Sequence, residues 1–178
     1  FDLTRQNVTT ADLEHINFNA QRGEVNSRGF ELEAKANLRQ GWDLIGNYAR
    51  GSVKLTRDNY GNEGNQLNSV PRTIASAWVM YTAQDGALAG LGVGLGARHV
   101  GSTFSNDENT SRTPSYTLAD LVVRYDLSHL GGGWEGWRAA LNVSNLFDKT
   151  YVATCGYYGD GCKYGYRRNA VLTMTYDW

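Results

Sequence analysis

The segment Tyr166-Arg-Arg-Asn-Ala-Val-Leu-Thr-Met-Thr-Tyr-Asp-Trp178 ends the chain and decides the fold class. Its even positions from Ala170 to Trp178 are apolar and finish on aromatic residues, whereas most odd positions from Arg167 to Asp177 are polar. This alternation places the two classes of side chain on opposite faces of one β-strand. Such a strand suits a lipid-facing barrel, because backbone polar groups in hydrocarbon must be paired within a closed sheet. The segment therefore predicts a transmembrane β-strand.

The composition favours an all-β protein. The 178 residues include 21 glycines, 11 tyrosines and 5 tryptophans but only 2 prolines, and this usage suits strands better than helices. The net charge is −1, so the chain lacks the basic footprint of a nucleic-acid-binding protein and a polybasic membrane-surface segment. We therefore expect no nucleic-acid partner.

The stretch from Thr73 to Ala97 carries one charge, Asp85, and has the hydropathy of a candidate membrane helix. Five glycines between positions 86 and 96 argue against a helix, because each weakens a helix interior by about 1 kcal/mol. Apolar residues from Leu91 onward also recur at every second position, opposite Gly92, Gly94 and Gly96. We predict two strands joined by a turn at 84–86.

Apolar alternation and turn signals divide the whole chain into eight candidate strands. Their approximate ranges are 1–8, 24–38, 42–57, 72–83, 91–103, 115–127, 137–147 and 166–178. Short connections at 39–41, 84–90 and 128–136 alternate with longer polar loops at 9–23, 58–71, 104–114 and 148–165. Transmembrane barrels show this asymmetry, with short periplasmic turns and longer extracellular loops. We expect extracellular long loops, a periplasmic C-terminus and no helix.

The faces of most predicted strands fit contact with lipid. In the second strand, apolar positions from Phe30 to Leu38 alternate with Glu31, Glu33 and Lys35. The apolar face would contact lipid and the charged face would line the lumen. The fourth strand is ambiguous, since either its even or its odd positions can face outward. A soluble β-sandwich also alternates, but it does not require loop lengths to alternate.

The two cysteines, Cys155 and Cys162, lie seven residues apart in a loop rich in glycine and tyrosine. A zinc site would lack further ligands there, and a short disulfide-closed loop fits the spacing. We expect a disulfide and therefore an oxidising compartment.

Three segments together resemble one protein family. They are Ser27-Arg-Gly-Phe-Glu-Leu-Glu-Ala34, Tyr116-Thr-Leu-Ala-Asp-Leu-Val-Val-Arg-Tyr-Asp-Leu127 and Asn142-Val-Ser-Asn-Leu-Phe-Asp-Lys-Thr-Tyr151. In this order, and with an aromatic C-terminus, they resemble the C-terminal part of a TonB-dependent siderophore receptor, closest to ferric hydroxamate receptors of the ferrichrome or ferrioxamine type. The resemblance covers nearly the whole chain, and the segment from Asn142 is its most specific part.

The resemblance implies that residues 1–178 form about eight C-terminal strands of a 22-stranded plugged barrel, without the plug domain and the earlier strands. It implies a transporter for a ferric siderophore and not an enzyme, driven by TonB through an N-terminal region that this chain lacks. Iron would arrive inside the siderophore, so no cofactor or metal is expected on the protein side chains. The start at Phe1, without an initiator Met or a signal segment, we interpret as a piece of a longer protein.

The resemblance also places the Cys155–Cys162 loop outside the cell, with aromatic residues that face the substrate. We expect Tyr157 and Tyr158 to contact the siderophore, because aromatic faces and phenolic hydroxyl groups suit a bulky amphipathic chelate. The alternative is a stapled surface loop whose tyrosines pack only on the rim.

Five aromatic residues near the short-turn edge are typical of a periplasmic aromatic girdle. They are Trp42, Tyr125, Trp137, Tyr176 and Trp178. The terminal Tyr-Asp-Trp resembles the signal read by the barrel-insertion machinery, and outer-membrane lipid and lipopolysaccharide complete the expected partners. The glycine stripe from Gly92 to Gly96 either lets a plug approach the wall or adjusts the twist of the strand.

Three other functions remain as rivals. One is a self-contained eight-stranded barrel with a structural or adhesion role. A passive porin is the second, and an outer-membrane hydrolase that depends on His99 is the third. His15, His99 and His129 lie too far apart in the predicted topology for a metal triad or a Ser/His/Asp relay.

Overall fold

The computed structural model describes residues 1–156 and 161–178, and its main element is a single antiparallel sheet. The strands are β1 (Asp2–Ala11), β2 (Asn19–Leu38), β3 (Trp42–Arg57), β4 (Thr73–Thr82), β5 (Gly92–Val100), β6 (Thr103–Phe104), β7 (Arg112–Thr113), β8 (Tyr116–Asp126), β9 (Trp137–Ser144), β10 (Val152–Thr154), β11 (Lys163–Tyr164) and β12 (Asn169–Tyr176). Eight of them form one sheet in the order β1-β2-β3-β4-β5-β8-β9-β12. The all-β antiparallel prediction is confirmed.

Short elements fill the connections between these eight strands. The pairs β6–β7 and β10–β11 form two small hairpins within long loops. Two 3₁₀ turns lie at Gly86–Leu88 and Leu127–Leu130, where the sequence predicts plain turns. No helix in the described part of the chain is long and apolar enough to cross a bilayer.

The eight-stranded sheet is open. Its two edge strands, β1 and β12, are not paired with each other in the strand order of the described residues. A self-contained eight-stranded barrel closes by that pairing. The arrangement therefore favours part of a larger barrel over the small-barrel rival.

The β1–β2 hairpin extends beyond the predicted strands. The structure begins β2 at Asn19, whereas the sequence pattern predicts a start at Glu24. The added residues are mostly polar, and they pair with the end of β1 up to Ala11. Hydrogen bonding between strands in water does not require apolar alternation, so the pattern that marks a lipid-facing strand is missing from this part of the hairpin.

The last two sheet strands are shorter than predicted. Strand β9 ends at Ser144 because Asn145 and Asp148 adopt positive φ angles of 52° and 53° and turn the chain. Strand β12 begins at Asn169, and the preceding Arg167 and Arg168 bind to Asp148 in the loop. Local side-chain to backbone bonds therefore replace ladder bonds at both strand ends.

One face of the sheet carries an almost continuous apolar surface, which we call the apolar face. Directly opposed residues in adjacent strands share a face, so the register defines its rows. One row is Leu38, Trp42, Tyr81, Val93, Val123, Leu141 and Leu172, and the next is Ala36, Leu44, Val79, Leu95, Leu121, Val143 and Ala170. Most of the large side chains in these rows are exposed. The apolar face has no second layer in the described chain, as a lipid-facing wall requires.

The opposite face, which we call the polar face, carries the charged side chains of the strands. Arg98 donates to Asp120 at 2.8 Å across β5 and β8, and Asn37 bonds to Asp43 across β2 and β3. The register also resolves β4, whose even positions, including Trp78, lie on this face. Its odd positions lie on the apolar face.

The glycine stripe of β5 is covered by side chains from the two neighbouring strands. The ring of Trp78 lies over Gly96, so a Cβ added there would come within 1.8 Å of it. Gly94 faces Met80 and Val122, and Gly92 faces Arg124. The stripe therefore receives a large indole on the polar face, an arrangement of the kind by which aromatic side chains compensate for strand glycines.

We expect Gly96→Ala to destabilise the folded sheet by about 1–3 kcal/mol, because Trp78 must leave its position. Gly46→Ala is the matched control, since a Cβ there comes no closer than 3.9 Å to Ser76. Thermal unfolding in detergent, followed by the gel shift between folded and unfolded barrel, measures both. Equal melting temperatures for the two variants would contradict the packing of Trp78 on Gly96.

Candidate functional site

Four long loops meet at one edge of the sheet, opposite the short turns. We define them as L1 (12–18), L2 (58–72), L3 (101–115, with β6 and β7) and L4 (145–168, with β10 and β11). The four loops lie at the same edge because long and short connections alternate along the chain, as the sequence predicts. Their side chains are mainly polar, and hydrogen bonds connect L2, L3 and L4 to the sheet or to a neighbouring loop.

L2 is attached to the β1–β2 hairpin on one side. The Asp58 carboxylate accepts a hydrogen bond from the Thr10 hydroxyl at 2.8 Å, and the same hydroxyl accepts from the Asn59 amide at 2.7 Å. Tyr60 donates its hydroxyl to Asn19 at 2.9 Å. Thr10 is 1% exposed, so this attachment is shielded from water.

L2 and L3 meet at a second set of hydrogen bonds, which we call the L2–L3 junction (Asn65, Gln66, Asn68, Asp107 and Asn109). The Asp107 carboxylate accepts from the backbone and side-chain amides of Asn68, at 2.8 and 2.7 Å. The Asn109 side chain accepts from the Gln66 backbone N–H and donates to the Gln66 carbonyl, at 2.9 and 2.7 Å. The Asn109 side chain therefore forms with the Gln66 backbone the two hydrogen bonds that a residue of a neighbouring strand would form.

The base of L4 is fixed on the polar face of the sheet. The Asn145 backbone N–H donates to Asp120 at 2.8 Å, and Asp120 also binds Arg98. The Asn145 side chain donates to the carbonyls of Lys149 and Tyr166, at 2.8 and 3.1 Å. One asparagine thus holds both ends of the loop.

An ion pair reinforces this base. Arg167 binds both carboxylate oxygens of Asp148, at 2.8 and 2.5 Å, and the Arg168 backbone N–H donates to the same group at 2.9 Å. Hydrogen bonds from Arg167 and then from the Arg168 amide hold the pKa of the Asp148 carboxyl well below its usual range. The same pairing raises the pKa of Arg167.

A cleft of about 490 Å³ opens between the base of L4 and the polar face. It is lined by Arg98, Ser144, Asn145, Tyr151, Tyr166, Arg167, Arg168 and Asn169. Tyr151 stacks on Tyr116 of β8, with ring centroids 4.3 Å apart, while Tyr166 is almost fully exposed. Aromatic faces and cationic groups converge here on one concave surface, which is the usual setting of a small-molecule site.

The charge of the cleft is largely neutralised by its own partners. Arg98 is paired with Asp120, and Arg167 with Asp148. Arg168 forms no ion pair within the described residues. Within the described residues, the cleft therefore presents one guanidinium group without a counter-ion beside two tyrosines.

The disulfide predicted from the sequence belongs to L4, the loop whose base lines this cleft. Cys155 and Cys162 form the expected disulfide within L4. Tyr157 and Tyr158 lie outside the described residues, so their contact with substrate stays a prediction. Sequence reasoning missed Tyr151 and Tyr166, although both flank the disulfide loop and Tyr151 ends the segment from Asn142.

The five predicted girdle residues lie on the apolar face or beyond its end at the short-turn edge. The ring of Trp42 packs on Tyr81 at 4.8 Å, and Trp137 packs on Tyr176 at 5.1 Å. Trp178 is fully exposed after β12. The Tyr125 ring stacks near His129, and its hydroxyl is covered without a partner in the described chain. The position fits a girdle, whose role at a membrane interface stays a prediction.

The histidines lie apart in the structure. His15 is in L1, His99 in β5 and His129 in the 3₁₀ turn of the short-turn edge. Among residues 1–156 and 161–178, no three His, Cys, Asp or Glu side chains are grouped so that they could hold a metal ion.

Comparison with known proteins identifies the family. A sequence model described as "TonB dependent receptor-like, beta-barrel" matches residues 1–146. The chain belongs to this family. TonB-dependent receptor barrels include proteins much longer than this chain, which spans about a quarter of the length of the relatives it matches.

Two relatives of this family are similar over almost the whole chain. The ferrichrome outer membrane transporter/phage receptor of Escherichia coli K12 is 40% identical over 99% of the chain and 23% of its own length. The ferrioxamine receptor of Yersinia enterocolitica is 37% identical over 99% of the chain and 24% of its own length. The crystal structure of the ferric yersiniabactin uptake receptor of Yersinia pestis matches 99% of the chain and 26% of its own, with a TM-score of 0.81 at 22% identity, which supports the fold.

The ion pair at the base of L4 gives a pH-dependent prediction. Because the folded pKa of Asp148 is depressed, its stabilising effect is present above the ordinary aspartate pKa of about 3.9 and is lost only as the pH falls through the lower folded value. The protection of the amides of residues 149–156 and 161–168 against hydrogen exchange, relative to unstructured amides at the same pH, should therefore persist down to about pH 4.

Asp148→Asn should speed that exchange at neutral pH, because Arg167 and the Arg168 amide lose their charged acceptor. Asp85→Asn, in the turn at the opposite edge, is the control and should leave L4 unchanged. The same exchange rates in Asp148→Asn and the wild type would show that the pair does not hold the loop.

Proposed function

We propose that this chain is part of an outer-membrane TonB-dependent transporter for a ferric siderophore of the hydroxamate type, and that it acts in transport and not as an enzyme. The cleft beneath L4 carries the proposal, because it gathers aromatic rings and a guanidinium group on the face that would line the barrel. Identities of 40% and 37% to ferrichrome and ferrioxamine receptors support the same class of ligand.

The charge of the cleft favours a hydroxamate over a catecholate. Ferric iron held by three hydroxamate groups has no net charge at its centre, whereas three catecholate groups leave it strongly anionic. A site for the anionic chelate gains from several unpaired cations. Among the described residues, Asp120 and Asp148 neutralise two of the three guanidinium groups that line the cleft, and Arg168 is the third.

Binding would proceed by contact of the chelate with the tyrosines of L4. Tyr166 extends into the cleft region with an exposed ring, and Tyr151 is held by stacking on Tyr116. Tyr157 and Tyr158, between the disulfide cysteines, would cover the bound chelate from the loop side. Aromatic side chains provide large contact areas at a low cost in conformational entropy. Iron is the cargo inside the chelate and needs no protein ligand.

The orientation of the sheet follows from the same proposal. The apolar face contacts outer-membrane lipid, the long loops L1–L4 face the medium, and the C-terminus lies in the periplasm. Trp178, fully exposed at the end of the chain, is available to the barrel-insertion machinery. We further propose that residues 1–178 form the C-terminal part of the barrel and that a plug domain and a TonB-binding segment belong to the remainder of the receptor.

The test is binding of ferrichrome, ferrioxamine and a ferric catecholate to the full-length receptor, followed by tryptophan quenching. We expect Tyr166→Ala and Arg168→Gln each to weaken hydroxamate binding about tenfold, the loss typical of an interface anchor. The double variant Tyr157→Ala/Tyr158→Ala should weaken hydroxamate binding more than either of these single variants does. Tyr60→Ala removes an exposed tyrosine from L2 and serves as the control.

Two outcomes separate the site from the function. Unchanged hydroxamate affinity in all L4 variants would reject the cleft and leave the transport function standing. A wild-type receptor that binds the catecholate and neither hydroxamate would reject the proposed ligand class.

A further inference from the structure

A second cleft, of about 580 Å³, lies on the polar face near the short-turn edge of the sheet. We call it the short-turn cleft, and its lining includes Thr82, Arg124, Arg138, Ala140, Thr173 and Thr175. Thr82 and Arg124 are both opposite Gly92 of the glycine stripe. Ala140 is in turn opposite both Arg124 and Thr173, so these residues share the polar face. The short-turn cleft therefore faces the same space as the cleft beneath L4, from the other end of the strands.

The strand pair β9–β12 joins the two clefts. In β12, Asn169 lines the cleft beneath L4 and Thr173 lines the short-turn cleft. Val171 lies between them on the polar face, and its partner in β9 is Asn142. The distance from Asn169 to Thr173 is about 13 Å, at the usual rise of a strand. A ligand that leaves the cleft beneath L4 along this wall therefore passes one residue pair before it reaches the short-turn cleft.

The wall between the two clefts is uncharged. Its row on the polar face runs from β4 to β12 and consists of Met80, Gly94, Val122, Asn142 and Val171. A charged ligand would lose hydration beside such a row and find no ionic partner there. The ferric centre of a hydroxamate chelate carries no net charge, so its passage along this row has no such cost. The row therefore suits the class of ligand that the cleft beneath L4 favours.

The short-turn cleft offers hydrogen-bond donors to the oxygen atoms of a chelate. Arg124 forms no ion pair within the described residues, and its Nη2 donates to the Thr82 hydroxyl at 3.4 Å. Its side chain lies along Gly92, where an added Cβ would come within 2.7 Å of Nε. The second cation, Arg138, is paired with Asp177. One guanidinium group without a counter-ion thus stands beside neutral hydroxyl groups, much as in the cleft beneath L4.

We propose that the short-turn cleft is a second binding site for the ferric hydroxamate chelate, which the chelate occupies during transport after it leaves the cleft beneath L4 along β9 and β12. The inference rests on the proposed transport function and adds the route of the ligand along the wall. The alternative occupant is another segment of the receptor that stays packed in the short-turn cleft. The shared strand and the uncharged row favour the chelate, because a permanently packed segment gains nothing from a path to the cleft beneath L4.

The first experiment separates binding from transport in cells that carry the full-length receptor. Ala140→Trp fills the short-turn cleft, and Arg124→Gln removes its unpaired guanidinium group. We expect each variant to lower the maximal rate of uptake of radioactive iron as ferrichrome about tenfold, and to leave the affinity of ferrichrome for the cell surface unchanged. Ile45→Trp is the control, because it adds an indole to the polar face outside both clefts and should retain uptake.

The second experiment detects the ligand at the site itself. Thr173→Cys adds a free thiol to this chain, because Cys155 and Cys162 are joined in a disulfide. A fluorophore on that thiol should be quenched by ferrichrome in energised cells, since the ferric chelate then passes beside it. The quenching should cease when an uncoupler collapses the proton gradient. The same fluorophore on Ile45→Cys, away from the proposed route, should stay bright in both conditions.

Three results would overturn the second site. They are full uptake by both Ala140→Trp and Arg124→Gln, the absence of energy-dependent quenching at Thr173→Cys, and a thiol at Thr173→Cys that stays closed to the fluorophore in resting and energised cells. The last result would assign the short-turn cleft to a packed segment of the receptor. A wild-type receptor that neither binds nor takes up ferrichrome would instead reject the proposed function, so the two failures are distinguishable.

Discussion

The hydrogen-bond ladder between neighbouring strands is the constraint on which the rest of this structure depends. In hydrocarbon, every backbone N–H and C=O group must be paired within the protein. Eight strands in one antiparallel sheet satisfy this along their shared lengths. Once the backbone is paired, the side chains separate by period 2, and one face becomes apolar while the other carries the charges. The cleft beneath L4 follows from this division, because its walls rise from the polar face.

The loops obey a different rule, because water can satisfy their backbone groups. They gain order from asparagine and aspartate side chains that bind backbone groups far away in the sequence. Asp107 and Asn68 are 39 residues apart, and Asn109 and Gln66 are 43 apart. Asn145 holds both ends of L4 in the same way. The loops are therefore ordered by bonds to one another and to the sheet, and they do not behave as independent segments.

The sequence was sufficient to predict elements that lipid contact imposes. The alternation of apolar residues in β2 from Phe30 to Leu38 and in β12 marks the strands directly, because one face must be apolar at every second residue. The polar start of β2 at Asn19 carries no such mark and was missed. The sequence alone does not assign Trp78 to a face. The pairing of β4 with β5, in which Trp78 is opposite Gly96, decides which side of β4 is apolar.

The candidate site was predicted only in part for a related reason. Cys155 and Cys162 are recognisable from their own spacing, whereas the cleft forms when Arg98 of β5, Asn145 of L4 and Arg167 before β12 come together. Their partners, Asp120 and Asp148, are separated from them by 19 to 25 residues in the sequence. No pattern of neighbouring residues in the sequence predicts pairs between residues so far apart.

The L2–L3 junction has a consequence for the environments in which the receptor can work. Its bonds join neutral amides to each other or to the single carboxylate of Asp107 and include no pair of opposite charges. Salt screening weakens interactions between exposed opposite charges far more than it weakens short hydrogen bonds of this type. The L2–L3 junction should thus retain its geometry from dilute fresh water to concentrated brine, whereas the base of L4, held partly by ion pairs, should loosen as the salt concentration rises.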